Sequence, residues 1–284
     1  MKFAVLLLIA TNMLAAPKIL VHGHRGARAV LPENSLPAFE YAIAQGVDAL
    51  ELDLAVTRDN ILVVSHDPEM NPKICTGPAN SPHIIRQMTL AQLRLWDCGA
   101  KQNPEFPAQK AIPGTQVPTF AEVLKLAQKA KVDLNVETKI SPLQPELTPS
   151  PADFAKMVIE EVRKYNLESR LILQSFDWRT LVAARRIAPN VRLSALYPTG
   201  MSEALLKKDY IAGAHAAGFG IVSPHYRLIN PAAVEQAHKL GMQVVPWTAN
   251  DPKIWDALIA AQVDAIITDN PATLIAYLKQ KGLR

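Results

Sequence analysis

Short apolar runs alternate with amphipathic stretches from residue 17 onward, and this alternation restricts the possible folds more than any other feature. It is typical of βαβ units, in which helices join parallel strands and cover the sheet. The runs that predict strands lie at residues 19–23, 48–54, 61–65, 132–137, 171–175, 191–196, 218–223, 243–247 and 264–268. The stretches that predict helices lie at residues 36–45, 119–129, 152–165, 178–187, 231–240, 252–260 and 271–281. We therefore expect an α/β fold built on a parallel sheet.

The second and third apolar runs are joined by a turn that is too short for a parallel connection. Parallel neighbours need a crossover of about a dozen residues, whereas this turn is centred on Arg58, Asp59 and Asn60. Residues 61–65 should therefore return antiparallel, as the second arm of a hairpin. The eight remaining strands predict a (β/α)8 TIM barrel, which usually has about 250 residues. Residues 67–118 are then an insertion on the rim that carries the active site in such barrels.

Composition and charge narrow the class of protein. Of the 284 residues, 49% are hydrophobic and 20% are charged, which is the balance of a globular domain. Lysine and arginine number 30 against 26 acidic residues, and there is no long basic run. We therefore expect no nucleic-acid partner. The sequence predicts a single barrel domain over residues 17–284 and leaves its oligomeric state open.

Residues 1–16 have the pattern of a secretory signal peptide. Lys2 precedes an apolar stretch over residues 3–10, and small residues follow up to Ala16. The stretch is too short to span a bilayer, which needs about 20 apolar residues, so we expect no stable membrane insertion. Export would make the protein periplasmic or secreted. The alternative is an N-terminal strand or helix that packs on the domain.

The chain has two cysteines, Cys75 and Cys98, both within the predicted insertion. Two cysteines are too few for the usual thiolate zinc site. In an oxidising compartment they could form one disulfide across the proline-rich segment. The alternative is a pair of buried free thiols.

Carboxylates are concentrated on two of the predicted strands. Glu51 and Asp53 are two residues apart on one strand, so their side chains point to the same face. Glu137 on the next barrel strand faces the same interior. Three converging carboxylates repel one another unless a cation lies between them, and oxygen ligands favour Mg²⁺ or Ca²⁺ over Zn²⁺. The alternative is that Lys139 or Arg25 pairs with one carboxylate and no metal binds.

Cations and histidines also follow the predicted strand ends. Arg25 and Lys139 beside a metal would form an anion site, with phosphate as the natural ligand. The alternative for Arg25 is a structural ion pair, for example with Glu33. His24 and His66 come from different segments but should both reach the rim. Two histidines beside a phosphate suit acid–base catalysis, since their ordinary pKa of about 6.5 allows either role near neutrality.

These residues lie in segments that resemble the glycerophosphodiester phosphodiesterase family. The resemblance extends over nearly all of residues 19–275, and its first block alone is highly specific. The matching segments include His24-Arg25-Gly26, Pro32-Glu33-Asn34-Ser35, Glu51-Leu52-Asp53, His66-Asp67, Asn135-Val136-Glu137-Thr138-Lys139, Ser175-Phe176-Asp177, Trp247-Thr248 and Thr268-Asp269-Asn270-Pro271. The sequence departs from the family's usual pattern at Ser35, at Asn60 and at Pro246, which is atypical of a strand interior.

The resemblance implies metal-dependent hydrolysis of a small-molecule glycerophosphodiester to an alcohol and sn-glycerol 3-phosphate. It implies one divalent cation, Ca²⁺ or Mg²⁺. The long insertion and the predicted export are similar to the periplasmic branch of the family. The roles that it implies are an acid–base pair for His24 and His66, metal ligands for Glu51, Asp53 and Glu137, phosphate binders for Arg25 and Lys139, and apolar walls for Phe176 and Trp247.

Several alternatives stay open at this point. One is a phospholipase D-like or phosphoinositide-cleaving enzyme with the same paired histidines. Another is an amidohydrolase-like zinc enzyme, because His22-Gly23-His24 resembles its HxH motif, although the middle strands lack the further histidines. A third is a barrel without catalytic activity. The sequence also leaves open whether a substrate hydroxyl or water is the nucleophile, and which histidine is the base.

Overall fold

A computed structural model of the chain describes residues 18–199 and 209–284. The predicted signal peptide lies outside the described residues. The strands are β1 (Leu20–Gly23), β2 (Ala49–Val56), β3 (Leu62–Val64), β4 (Asp133–Thr138), β5 (Leu171–Ser175), β6 (Arg192–Tyr197), β7 (Ile221–Pro224), β8 (Gln243–Val244) and β9 (Ala265–Thr268). Eight of them form a parallel sheet in the order β8-β7-β6-β5-β4-β2-β1-β9. The predicted (β/α)8 barrel is therefore confirmed.

The predicted hairpin is also present. β3 pairs antiparallel with β2, with Leu54 opposite Val64. Because β3 returns beside β2 instead of crossing over, it adds no strand to the barrel. β4 then takes the next place in the barrel, where Asp53 pairs with Glu137 in the parallel register.

Helices cover the barrel between successive strands. Those of the described residues are α1 (Leu36–Gln45), α2 (Leu90–Leu93), α3 (Phe120–Ala130), α4 (Pro151–Lys164), α5 (Trp178–Ile187), α6 (Tyr210–Ala216), α7 (Pro231–Lys239), α8 (Pro252–Ala260) and α9 (Pro271–Gln280). Local capping explains several starts. Thr119 and Glu122 form a capping box at α3, and proline lies in the first turn of α7, α8 and α9.

Two helices, α2 and α6, were not predicted, and the bounds of several strands, including β8, differ from the prediction. α2 has only four residues, too few to show periodicity. α6 was not predicted, because its short Ala- and Gly-rich sequence buries only Ile211 and Ala214 and so shows little periodicity. β8 is shorter than the predicted run because Pro246 has no N–H to donate. The segment still joins the barrel, since the Pro246 carbonyl accepts from the Ile267 N–H at 3.0 Å. This hydrogen bond links the segment after β8 to β9.

The two faces of the strands have different character. Outward residues such as Leu50, Leu52 and Val136 pack against the helices in one continuous core. Inward positions alternate with them, and there Glu51, Asp53 and other polar residues replace the apolar ones toward the carboxyl ends of the strands. Further inside the barrel, a separate apolar cluster of Ile172, Ile221, Val245, Ala265 and Ile267 fills the interior. The fold therefore gathers the buried carboxylates Glu51, Asp53 and Glu137 at one end of the barrel.

The insertion between β3 and α3 has a small core of its own. Met70, Ile85, Met88, Leu93 and Trp96 are buried within it. A disulfide joins Cys75 to Cys98, as the cysteine positions allow. The insertion also contacts the turn that follows β1, since the Gln109 amide donates to the Arg28 carbonyl at 2.6 Å. Within residues 18–199 and 209–284, no helix has the length and apolar character needed to cross a membrane.

Candidate active site

Three buried carboxylates meet at the carboxyl ends of neighbouring strands. Glu51 and Asp53 lie on β2 and Glu137 lies on β4, and one oxygen atom of each lies within 4.8 Å of the others. Glu51 accepts from the Arg25 backbone N–H at 2.9 Å and from the Gln174 side-chain amide at 2.8 Å. The sequence prediction that these three side chains converge therefore agrees with their positions.

Burial and the neighbouring charges shift the pKa values of all three acids. Burial and the charge of Asp53 raise the pKa of Glu51 well above its usual value. Burial likewise raises the pKa of Glu137, against the opposing charge of Lys139. For Asp53 burial also acts upward, but the charges of His66, Arg25 and Lys139 outweigh it and lower its pKa. The three groups therefore do not ionise together easily without a compensating positive charge.

The same residues fit a divalent cation. All three donors are carboxylate oxygens, which hard cations such as Mg²⁺ and Ca²⁺ prefer. The Gln174 side-chain oxygen beside Glu51 is buried and has no hydrogen-bond partner among the described residues. Unpartnered buried polar atoms call for an explanation, and a bound ion or its water provides one. The local chemistry is thus consistent with a cation between the carboxylates.

Two cations flank the carboxylates, each already partnered. Lys139 Nζ lies 2.9 Å from Glu137 Oε1 and 3.9 Å from Asp53 Oδ1. Arg25 Nη1 lies 2.6 Å from Glu33 Oε1, so the ion pair considered as an alternative for Arg25 is present. Arg25 Nε also lies 3.3 Å from Asp53. The pairings that the sequence left open as an alternative to a metal, Lys139 or Arg25 with one of the carboxylates, are therefore both present.

A tight turn after β1 brings Arg25 to this position. Arg25 and Gly26 have positive φ angles of 48° and 83°. A Cβ on Gly26 would lie 2.8 Å from the Ala38 carbonyl carbon, so the turn requires glycine there. This conformation points the Arg25 N–H at Glu51 and its side chain toward Asp53.

Both predicted histidines are oriented by a carboxylate on the same ring nitrogen. His24 Nδ1 lies 2.5 Å from Asp269 Oδ1, and His66 Nδ1 lies 2.7 Å from Asp67 Oδ1. Burial lowers the pKa of His24, against the opposing charge of Asp269. Both side chains line one cavity of about 230 Å³ together with the carboxylates and Arg25. His66 Nε2 lies 3.0 Å from Lys139 Nζ, and His24 Nε2 lies 3.9 Å from Glu51.

An apolar wall closes another side of the cavity. Phe176 and Trp247 pack edge to face, with ring centroids 5.5 Å apart. The Trp247 indole N–H donates to the Ser223 carbonyl at 2.8 Å, which fixes its ring. Phe176 follows β5 and is 41% exposed, so it faces the opening. The structure therefore brings all nine site residues chosen from the sequence to one cavity.

Arg28 was not among those residues, although it lines the cavity too. Its guanidinium lies 3.0 Å from Glu105 and 3.2 Å from Glu33, and it lies over the Phe106 ring. Glu105 and Phe106 belong to the insertion. Arg28 lies three residues after Arg25 in the same turn, but only the folded insertion shows that it faces the site.

His22 lies deeper in the barrel than His24. Its Nδ1 lies 3.3 Å from the Asn135 amide, and burial lowers its pKa to about 4. Among the described residues, the ligand group that could hold a metal consists of the three carboxylates and does not include His22. The zinc-hydrolase alternative therefore receives no support from the geometry.

The fold and the site together define an α/β-barrel hydrolase. The model of the glycerophosphoryl diester phosphodiesterase family matches residues 24–273. A glycerophosphodiester phosphodiesterase of Caldanaerobacter subterraneus subsp. tengcongensis is 31% identical, over 93% of this chain and 100% of that protein. The chain therefore belongs to the glycerophosphoryl diester phosphodiesterase family, and it is a phosphoric diester hydrolase.

Solved structures agree with this relationship. A Silicibacter pomeroyi protein assigned to the glycerophosphoryl diester phosphodiesterases has a TM-score of 0.87 and 30% identity, covering 94% of this chain and 95% of its own. An Oleispira antarctica phosphodiesterase, solved with its product sn-glycerol-3-phosphate, has a TM-score of 0.75 and 20% identity, covering 92% and 97%. At that identity the second structure supports the shared fold alone.

Proposed function

We propose that this chain hydrolyses glycerophosphodiesters to an alcohol and sn-glycerol 3-phosphate by acid–base catalysis with His24 and His66. The observation that supports this most is that the two imidazole rings have the same kind of partner and line the same cavity. Each imidazole is bonded through Nδ1 to a carboxylate, and both rings line the cavity that also contains Arg25 and Lys139. Two fixed rings beside two cations suit a phosphodiester.

In this mechanism Arg25 and Lys139 bind the phosphoryl oxygens, and they stabilise the charge that develops as the nucleophile attacks. One histidine accepts the proton of the attacking hydroxyl or water. The other donates a proton to the alcohol oxygen as its bond to phosphorus breaks. Net hydrolysis adds one water across that bond. Phe176 and Trp247 exclude water from one side of the reacting group.

We further propose that Glu51, Asp53 and Glu137 hold one divalent cation, Ca²⁺ or Mg²⁺. When bound there, it would polarise a phosphoryl oxygen and neutralise negative charge. What supports the proposal is the convergence of three buried carboxylates and the raised pKa of Glu51 that follows from it.

The test is an activity panel of glycerophosphocholine, glycerophosphoethanolamine and an intact phospholipid. We expect release of sn-glycerol 3-phosphate from the first two, loss of activity with chelator, and recovery with Ca²⁺ or Mg²⁺. Cleavage of the intact phospholipid in preference to them would instead favour a phospholipase D-like enzyme. Detection of a cyclic glycerophosphate would identify a substrate hydroxyl as the nucleophile.

Substitutions test the paired histidines. His24→Ala and His66→Ala should each lower kcat by about 10²–10⁴-fold, the range that a general acid or base contributes. His215→Ala, at an exposed position of α6, is the matched control and should keep wild-type activity. Full activity in either site variant would overturn the assignment.

We also propose that the protein works outside the cytoplasm, in the periplasm or secreted. Support comes from the signal-like pattern of residues 1–16 and from the Cys75–Cys98 disulfide, since such bonds persist in oxidising compartments. Cell fractionation followed by thiol alkylation tests this. Recovery in the cytoplasm with both thiols free would contradict it.

A further inference from the structure

The buried residue Asp269 contacts His24 from outside the cavity and is itself bonded to the exposed residue Asn250. Asp269 follows β9 and is 5% exposed. One of its oxygens bonds to His24 Nδ1 at 2.5 Å, and the other accepts from the Asn250 side-chain amide at 2.6 Å. Asn250 in turn accepts from the Asp269 backbone N–H at 2.9 Å and from the Thr268 hydroxyl at 3.0 Å. Neither Asp269 nor Asn250 lines the cavity.

We propose that Asp269 is a positioning residue that fixes the His24 ring and its tautomer, and that Asn250 holds Asp269 in place. This rests on the proposed acid–base role of His24. An ionised carboxylate only accepts hydrogen bonds, so His24 must present an N–H at Nδ1. The neutral ring then has its lone pair at Nε2, which faces the cavity. Asp269 thereby selects the nitrogen that meets the substrate.

The orientation of Asn250 makes this arrangement specific. Its side-chain oxygen is occupied by two donors, so its amide group must face Asp269 and requires an acceptor there. In Asp269→Asn, the new amide oxygen would therefore turn toward Asn250. The new NH₂ group would then face His24 and donate to Nδ1. The substitution should consequently move the His24 proton from Nδ1 to Nε2, without a large change in side-chain volume.

A purely structural role for Asp269 predicts a different outcome. Asp269 also joins the end of β9 to the loop before α8, so its loss could lower stability alone. Asp264 provides the matched control at the other end of β9. It accepts from the Val244 N–H at 2.7 Å, lies 3.0 Å from His238 Nε2 and does not line the cavity. Asp264→Asn should therefore cost stability without changing the state of His24.

The first experiment measures the tautomer directly. Long-range ¹H–¹⁵N spectra of histidine-labelled, cation-free protein should show His24 protonated at Nδ1 in the wild type and in Asp264→Asn. In Asp269→Asn the same spectra should show protonation at Nε2. A wild-type His24 protonated at Nε2 would overturn the proposal, whatever the enzyme's activity. This measurement also stands if the proposed catalytic role of His24 fails.

The second experiment is a double-mutant cycle on kcat and KM. Asp269→Asn should lower kcat by about 10²–10⁴-fold with little change in KM, because the groups that line the cavity are retained. In a His24→Ala background, Asp269→Asn should cause no further loss of kcat. Equal losses in both backgrounds would show a structural role and refute positioning. Asn250→Ala should give a smaller loss that also disappears in the His24→Ala background.

Thermal unfolding of each variant shows whether it is folded before its kinetics are compared. If Asp269→Asn does not fold, the wild-type spectrum and the Asn250→Ala cycle decide the proposal. Protonation of the wild-type His24 ring at Nε2 would contradict the proposal. So would a loss of kcat in Asn250→Ala that persists in the His24→Ala background.

Discussion

His22 and His24 show how far position alone sets the chemistry of a side chain. They lie two residues apart and face the same interior of the barrel. His24 reaches the rim, where its Nδ1 lies 2.5 Å from Asp269 Oδ1. His22 lies one step deeper, where it is 2% exposed and bonds to a neutral amide, Asn135. The deeper ring is therefore kept neutral by burial, whereas the outer ring has a carboxylate partner.

His22 should make stability depend on pH. Burial lowers its pKa to about 4 in the folded chain, against about 6.5 in the unfolded chain. Between these values the unfolded chain binds the proton and the folded chain does not, so stability falls as pH decreases. From pH 7 to pH 5 the loss should be about 2 kcal/mol. Urea unfolding at both pH values measures it, and His22→Gln should remove this part of the pH dependence.

The exposed residue His215 supplies the control for this prediction, because His215→Gln should leave the wild-type pH dependence unchanged. Equal pH dependence in His22→Gln and in the wild type would contradict the argument.

Single residues also show what the sequence could predict about the site. Glu51 and Asp53 could be placed on one face because strand alternation is local, and Glu137 because neighbouring strands end at the same rim. The partners that hold the site were harder to predict. Arg28 faces the cavity only because the insertion folds over it, and Asn250 meets Asp269 only because the barrel closes. Such contacts depend on tertiary structure and leave no local pattern.

At the scale of elements, the insertion supports the turn that carries Arg25. Asn103 donates to Glu33 at 3.2 Å, and Glu33 pairs with both Arg25 and Arg28. The insertion is held together by a small core and by the disulfide between Cys75 and Cys98. Loss of order in the insertion should therefore displace Arg25, the proposed phosphate binder, through Glu33.

Removal of the disulfide should test this connection. The two cysteines are 23 residues apart, and a loop of this size gives a stabilisation of about 3 kcal/mol in the chain-entropy model. Cys75→Ser with Cys98→Ser should lower the free energy of unfolding by about this amount and raise KM more than it lowers kcat. Chemical unfolding and steady-state kinetics measure the two effects.

Dithiothreitol provides the control for the disulfide prediction. It should destabilise the wild type and leave the double serine variant unchanged. A variant as stable as the oxidised wild type would show that the core of the insertion suffices without the bond.

Helices and strands were predicted best where their ends carry local signals. α5 and α8 match the predicted bounds, and α8 begins at a proline behind the capping residue Asp251. α6 lacked the apolar periodicity that marks the other helices, and the run containing Pro246 was predicted as a full strand. Tertiary contacts of the barrel, rather than apolar periodicity, hold α6, whereas β8 ends early because Pro246 has no N–H to donate.

At the scale of the whole molecule, the three clustered carboxylates, Glu51, Asp53 and Glu137, connect much of the barrel. Glu51 on β2 accepts from the turn after β1 and from Gln174 on β5, and Asp53 pairs in register with Glu137 on β4. Mutual repulsion among these acids therefore acts directly on β2 and β4, and hydrogen bonds of Glu51 connect these strands to the turn after β1 and to β5. A cation that relieves this repulsion should stabilise the entire fold, because it binds only where the strands are assembled.

A divalent cation should accordingly raise the melting temperature. At a concentration about 100 times its Kd, the stabilisation is about 2.7 kcal/mol, or roughly 4–5 °C for a chain of this size. Glu137→Gln should abolish the rise, because it removes one ligand charge while its amide oxygen can still accept from Lys139. Glu146→Gln, at an exposed position after β4, should keep the full rise. Calorimetry in chelator and in Ca²⁺ or Mg²⁺ measures all three proteins. A wild type with the same melting temperature in every buffer would show that Arg25 and Lys139 alone balance the carboxylates.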